Sequence, residues 1–217
     1  NHMKIKLFLV SIFICGFLLV TLGQRLEFVE VTDTIMLKQK LEATSEATFS
    51  ISSKFRQEKH LWMLKETIFS TGEFIFKKPN SIKWQYNSPI LYTISIHNNT
   101  FTIDNNGNIT TYDVQSNPLF KEINKIIATA IRGDFINNPD FESRFFVNDE
   151  QFLAILIPMN KNVKSMLNLI EIYLSKATLQ VDKVIFREAQ DDYTLIYFED
   201  KFINRNIPTS DFILGNP

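Results

Sequence analysis

Apolar and polar residues alternate along most of the chain beyond residue 46, and this two-residue period restricts the fold more than any other feature. Successive side chains of a β-strand point to opposite faces, so such segments predict strands with one buried face. The predicted strands are segments 47–55, 62–66, 72–77, 82–86, 92–96, 101–103, 141–147, 151–157, 166–174, 181–188 and 194–198. Their close spacing favours antiparallel hairpin connections.

Turn and helix signals separate these strands. Asn106-Gly107 is the strongest short hairpin signal. Pro79 ends the predicted strand 72–77. Two segments have helical spacing instead: one capped by Thr32-Asp33 and running to about residue 43, and one from Asn117 to near Gly133. The sequence therefore predicts a mainly β fold with helices (α+β). We expect an incomplete antiparallel β-barrel or strongly curved sheet, roofed by amphipathic helices.

The N-terminal segment has the layout of a secretory signal peptide. Residues 1–2 precede Met3 and are interpreted as a cloning remnant. Residues 3–23 combine two lysines, an apolar run over 7–22 and small residues before Gln24. The apolar run is long, so an uncleaved membrane anchor is the alternative. In either case residues 24–217 are expected to form one exported domain.

The sequence lacks the signatures of several functional classes of protein. The formal charge of −1 disfavours a nucleic-acid partner. The six glycines form no phosphate-binding loop, and the single Cys15 permits neither an intrachain disulfide nor a cysteine-rich zinc site. His60 and His97 have no metal-ligand spacing, and no G-x-S-x-G elbow occurs. We therefore expect no enzymatic activity, cofactor or metal, although a triad assembled across the fold would escape this argument.

The candidate functional feature is an apolar face shared by consecutive predicted strands. Its members are Phe74, Phe76, Ile82, Trp84, Tyr86, Tyr92, Ile94, Ile96 and Phe101. These side chains can fill an ordinary core, or they can line a cavity for an apolar ligand. Periodicity does not distinguish the two, because both use the same residue types.

Several short segments together match the pattern of one protein family. The most extensive one covers residues 70–89 and reads STGEFIFKKPNSIKWQYNSP. The match extends over roughly 41–212 through Phe55-Arg56-Gln57, the hairpin around Gly107, the Asn117-Pro118-Leu119 helix start and the tail through Phe212. In these segments the chain resembles the LolA family of periplasmic outer-membrane lipoprotein carriers. Each motif is weak alone, whereas their order and spacing are moderately specific.

The resemblance implies a monomeric carrier in the periplasm of a Gram-negative bacterium. Such a carrier receives a lipoprotein from an inner-membrane release complex and passes it to an outer-membrane acceptor, holding the acyl chains in an apolar cavity. The helical lid would contain Ile35, Met36, Leu41, Leu119, Phe120, Ile123 and Ile127. Another lipid cargo, or an anchored adaptor with a filled core, remains the alternative.

Lys78 departs from the family pattern. It occupies the place of an arginine that latches the lid through several hydrogen bonds. Lysine lacks the planar fork of arginine. We therefore expect Lys78 not to reproduce a latch of several bonds.

Overall fold

The computed structural model describes residues 27–113, 135 and 138–215. The predicted signal peptide or anchor, residues 3–23, lies outside the described residues. So do four predicted lid residues, Leu119, Phe120, Ile123 and Ile127.

Twelve strands form one antiparallel sheet. They are β1 (Val29–Glu30), β2 (Ser50–Leu61), β3 (Glu66–Lys77), β4 (Ser81–Ser88), β5 (Tyr92–His97), β6 (Thr100–Asn105), β7 (Asn108–Asp113), β8 (Phe141–Val147), β9 (Gln151–Pro158), β10 (Leu167–Ser175), β11 (Val181–Glu188) and β12 (Tyr193–Ile203). The strand order is β1-β8-β9-β10-β11-β12-β2-β3-β4-β5-β6-β7. Since β1 and β7 do not pair, the barrel is incomplete, which confirms the predicted fold class.

Two predicted boundaries were wrong. The alternation at Trp62, Leu64 and Glu66 predicts a strand, but residues 62–65 form the turn between β2 and β3. Lys65 has a φ of 50°, a conformation of tight turns rather than strands. Residue 47 begins no strand, because the first helix continues through it.

The helix α1 (Ile35–Ala47) covers part of the sheet. The Asp33 carboxylate accepts a hydrogen bond from the Ile35 N–H at 3.1 Å, so the predicted cap contributes at this end. Leu37 and Leu41, one helical turn apart, are the buried residues of α1. Ile35 and Met36, two of the predicted lid residues, lie on α1 and are 66% and 61% exposed.

A second, shorter helix, α2 (Lys161–Lys164), connects β9 to β10. Within the described ranges, no helix is both long and apolar enough to cross a bilayer.

In-register pairing places the apolar residues in rows across one face, here called the inner face. One row runs Phe145, Ala154, Ile172, Val184, Ile196, and another runs Ile51, Phe76, Ile82, Ile96, Phe101. Leu37 and Leu41 of α1 pack against the part formed by β8 to β11. The part formed by β2 to β6 and β12 contains most of the aromatic side chains.

Lys78 attaches the C-terminal end of α1 to the turn between β3 and β4. Its Nζ donates to the carbonyl oxygens of Ser45 and Glu46 at 2.7 and 2.9 Å. These carbonyls belong to the last turn of the helix, where a cation is also favoured by the helix dipole. Lys78 therefore does make more than one bond to the helix, and the expectation that it would not was wrong.

Gly72 permits close packing at the centre of the inner face. A Cβ at this position would lie 1.9 Å from the Gln85 carbonyl oxygen and 2.7 Å from the Phe55 ring. Both distances are shorter than non-bonded atoms tolerate. A residue without a side chain is therefore required for β3 and β4 to pair beneath Phe55.

Replacing this glycine is predicted to destabilise the sheet. We expect Gly72→Ala to lower the free energy of unfolding by about 3 kcal/mol, the upper part of the range for overpacked cores. Gly107→Ala is the control: its Cβ would meet nothing within 4 Å, although its φ is +90°. That variant is expected to lose about 1 kcal/mol. Urea denaturation measures both, and equal losses would contradict the close-packing argument.

Removing the Lys78 ammonium is predicted to loosen α1 locally. In Lys78→Met, amide exchange in residues 41–47 should accelerate roughly tenfold, as expected for the loss of about 1.5 kcal/mol of charge-assisted hydrogen bonding. Lys77→Met is a matched control, since Lys77 Nζ donates to the Ile207 carbonyl oxygen of the C-terminal tail. It should leave exchange in α1 unchanged. Equal acceleration in both variants would mean that Lys78 does not hold the helix.

Candidate functional site

The candidate site is the aromatic cluster of the inner face. Its buried members are Ile51, Phe55, Phe74, Phe76, Ile82, Trp84, Ile96, Phe101 and Ile196. They come from β2 to β6 and β12, whose alternating residues point to the same side. Burying each large side chain stabilises the fold by roughly 1.5–3 kcal/mol. The cluster is therefore a major part of the core as well as a candidate binding surface.

Trp84 lies at the centre of this cluster. Its ring centroid is 4.9 Å from that of Phe74, 5.1 Å from Phe55 and 5.9 Å from Phe198. The rings meet at tilted or edge-on angles, the arrangement that aromatic quadrupoles favour. Trp84 is 9% exposed, and no described residue accepts a hydrogen bond from its Nε1. A buried indole N–H without an acceptor is uncommon and costs free energy.

The cluster becomes more polar towards the end of the sheet where β2 turns into β3. Tyr86 is part of this polar boundary, and its hydroxyl donates to Gln57 Oε1 at 3.0 Å. Burial raises the pKa of Tyr86 to about 12, and the neighbouring Tyr92 adds to the shift. Tyr86 is therefore neutral at physiological pH and acts as a hydrogen-bond donor. The inner face thus combines an apolar interior with a polar boundary, which also holds the Lys59–Glu188 ion pair at 2.9 Å.

The predicted cavity residues lie together on the inner face. Phe74, Phe76, Ile82, Trp84, Ile96 and Phe101 are buried, whereas Tyr86 and Ile94 are partly buried and pack against them. Tyr92 continues the row through its pairing with Tyr86. Of the described lid residues, Leu41 covers the neighbouring β8–β11 part and not the aromatic cluster. Whether these residues contact a ligand stays a prediction.

Sequence reasoning missed the contributions of Phe55, Phe186, Ile196 and Phe198. Phe55 and Phe198 pair directly between β2 and β12, although 143 residues separate them (198 − 55). The two-residue period was visible in both segments. That the two segments contribute to one site could not be predicted, because pairing between distant strands cannot be read from their order along the chain.

A small cleft opens beside the cluster. It has a volume of about 20 Å³ and is bordered by Ile51, Ser53, Phe74, Gln180, Val181, Phe198 and Lys201. Ser53 Oγ is buried there, and no described residue forms a hydrogen bond with it. The cleft can hold about one water molecule and is far too small for an acyl chain.

The described part of the chain contains no group of metal ligands. No three His, Cys, Asp or Glu side chains converge there on a common metal position. His60 stacks on Tyr193 with centroids 4.1 Å apart, and its Nδ1 shares a hydrogen bond with Thr67 at 3.0 Å. His97 Nδ1 shares one with Ser81 at 2.7 Å. Both rings therefore have structural contacts.

Comparison with solved structures identifies similar folds. A LolA superfamily protein from Nitrosomonas europaea is 10% identical, with 81% of this chain and 97% of that one covered, at a TM-score of 0.44. The MucA/MucB complex of Pseudomonas aeruginosa is 12% identical over 82% and 60%, at a TM-score of 0.50. Lipoprotein LppX of Mycobacterium tuberculosis is 8% identical over 82% and 99%, at a TM-score of 0.47. At these identities the likeness concerns the fold alone.

Family membership follows from the sequence match. No curated protein matches this sequence. A family model described as "Outer membrane lipoprotein carrier protein LolA" matches residues 46–213. That range contains every strand from β2 to β12 and the whole aromatic cluster. The chain therefore belongs to the LolA family of outer membrane lipoprotein carrier proteins.

Proposed function

We propose that this protein is an exported carrier that binds the acyl chains of lipoproteins against its aromatic inner face. The observation that carries the proposal is the continuous apolar surface centred on Trp84, within the range matched by the family. The carrier works by binding and release, without a catalytic step or a cofactor. We further propose that it transfers its cargo from the inner to the outer membrane, between a release complex and an acceptor.

The chemistry of the cargo explains why such a surface is needed. Each CH₂ group exposed to water costs roughly 0.8 kcal/mol, so several acyl chains need an enclosed apolar environment. The inner face supplies closely spaced Phe, Trp and Ile side chains. In the absence of cargo these side chains contact one another, as the rings of Phe55, Phe74 and Trp84 do. Binding therefore exchanges contacts among these side chains for contacts with the acyl chains.

We propose α1 as a movable part of the cover. Its buried contacts come from Leu37 and Leu41, and its C-terminal end is attached through Lys78. Separating two leucines costs far less than unfolding a strand that pairs on both sides. Displacement of α1 would open the inner face from the β8–β11 side, and Phe186 and Phe198 connect that side to the aromatic cluster.

A non-catalytic adaptor with a filled interior is the second candidate. It is favoured by the burial of the aromatic cluster, whose members are all 0–9% exposed, and by the small volume of the adjacent cleft. In this candidate, residues 3–23 remain as a membrane anchor. The protein then acts through its outer surfaces and carries no lipid. A carrier of another acyl lipid would use the same inner face with a different cargo.

The proposal is tested by recovering the full chain from spheroplasts and identifying bound molecules by native mass spectrometry. We expect about one lipoprotein per protein chain. Trp84→Asp should abolish this cargo, because a carboxylate in the centre of the cluster would have to lose its hydration. Gln85→Asp is the matched control: Gln85 is the next residue of β4 and points to the opposite face. It should retain cargo.

A milder variant distinguishes loss of binding from misfolding. Ile94→Asn places a neutral polar group opposite Trp84 on β5 and should weaken binding without removing the central indole. Circular dichroism must show a native strand content in each variant. An empty wild-type protein, or full cargo in Trp84→Asp, would contradict the proposed site. A free lipid in place of a lipoprotein would change the cargo while retaining the site.

A further inference from the structure

A group of exposed apolar residues lies at one end of the sheet. Trp62, Met63 and Leu64 form the tip of the β2–β3 hairpin and are 66%, 77% and 61% exposed. Met159 and Met166 flank α2 and are 60% and 46% exposed. We call these five residues the apolar rim. The inner face does not use any of them, and single exposed apolar side chains are common whereas contiguous ones are not.

Hydrogen bonds connect the segments that carry the rim. The Ala189 N–H of the β11–β12 connection donates to the Met166 carbonyl oxygen at 3.1 Å. On the other side of the same connection, the Trp62 N–H donates to Asp192 Oδ1 at 2.8 Å. The β11–β12 connection therefore links the segment around α2 to the hairpin tip. The five apolar residues consequently lie at the same end of the sheet.

The hairpin tip extends beyond the paired ends of its neighbouring strands. β4 pairs with β3 only from Thr71, so residues 66–70 of β3 extend beyond it and pair with β2 alone. On the other side, pairing with β12 ends at His60. Ile68 and Phe69 on the projecting segment are also 43% and 61% exposed. Trp62, Met63 and Leu64 therefore lie past the last residues that pair with β4 and β12.

Exposed lysines beside the rim can contact anionic lipid headgroups. Lys161 and Lys164 lie between the two methionines, and Lys65 follows Leu64. All three are exposed, and no hydrogen bond or ion pair of their ammonium groups occurs in the described segments. The carboxylates at this end of the sheet include Glu66, Asp140, Asp191 and Asp192; the Asp140 carbonyl oxygen accepts from the Met159 N–H at 2.8 Å, and Asp192 is bonded to Trp62. On α2 itself the two lysines have no acidic neighbour, so α2 is the part of this end that favours an anionic surface.

We propose that the apolar rim docks this protein on anionic membrane surfaces, with Trp62, Met63 and Leu64 entering the interface. Tryptophan favours the boundary between headgroups and acyl chains, and methionine and leucine favour the apolar side of it. The lysines remain at headgroup level, their stems along the apolar surface. This function is independent of the cargo proposed for the inner face. It would place the inner face at the surface of a bilayer.

The chain has two tryptophans, which makes a site-specific test possible. The full chain is mixed with vesicles of phosphatidylcholine and phosphatidylglycerol that contain brominated lipids, and tryptophan fluorescence is recorded. We expect Trp62 emission to shift to the blue and to be quenched. In Trp62→Phe, the remaining Trp84 signal should lack this component. Any quenching of Trp84 that remains in this variant reports lipid at the inner face. This value is subtracted from the quenching of the wild-type protein.

A matched pair of variants tests the docking energy. Met63→Asp should weaken vesicle binding roughly tenfold, because a carboxylate cannot enter the interface. Phe202→Asp is the control, since Phe202 is 53% exposed but lies at the opposite end of β12. Replacing Lys161 or Lys164 by Ala should cost roughly fivefold each, on anionic vesicles only. The apolar segment 7–22 is common to all variants, so differences among them report on the rim.

Two results would overturn the docking proposal. One is Trp62 emission that does not respond to the vesicles, as expected if the rim contacts a protein instead. The other is an equal loss of binding in Met63→Asp and Phe202→Asp. The cargo bound to the inner face is measured separately by native mass spectrometry. Failure of membrane docking is therefore distinguishable from failure of the carrier proposal.

Discussion

The in-register pairing of twelve antiparallel strands determines where every other part of this protein lies. Residues opposite each other in an antiparallel pair share a face, so one two-residue period in each strand becomes a continuous apolar surface across the sheet. A one-residue slip in any strand would turn its apolar side chains to solvent. Gly72 shows how tightly this register is constrained, since any side chain there would collide with β4.

The same surface has to satisfy two physical requirements. It must be covered in water, because Phe, Trp and Ile side chains are costly to hydrate. It must also become accessible if acyl chains are to replace its internal contacts. α1 suits both requirements, because it buries two leucines and is attached at its end by the Lys78 ammonium and by Asn204 Nδ2, which donates to the Ala47 carbonyl oxygen at 2.8 Å. The indole N–H of Trp84 and the hydroxyl of Ser53 are both buried and have no hydrogen-bond partner among residues 27–113, 135 and 138–215.

Strands with strong alternation could be predicted from the sequence almost to the residue. The predicted segments 141–147 and 181–188 coincide with β8 and β11. The hairpin predicted at Asn106-Gly107 is confirmed by the pairing of β6 with β7, but no bounds were predicted for β7, because its six residues are all exposed and carry no apolar face. The turn at residues 62–65 was mistaken for a strand because Trp62 and Leu64 alternate like buried residues. Their exposure depends on how far the hairpin projects beyond its neighbours, which local sequence does not encode.

The candidate site could be predicted only in part, for a similar reason. Trp84, Phe74 and Ile94 belong to consecutive strands, so their proximity follows from hairpin connections. Phe55 and Phe198 meet through pairing between the second and the last strand, which no local pattern indicates. Lys78 was recognised as a departure from the family pattern. Its two bonds to α1 could not be foreseen, because they depend on where the helix ends relative to the β3–β4 turn.

The most direct measurement of the central claim is photo-crosslinking with an acyl chain that carries a diazirine near its methyl end. The full chain is loaded with the probe, irradiated and digested, and the labelled residues are identified by mass spectrometry. The account predicts labels on the inner face, at Phe74, Trp84 and Ile94, and fewer in Trp84→Asp. Labels confined to the outer face or to the apolar rim would contradict it.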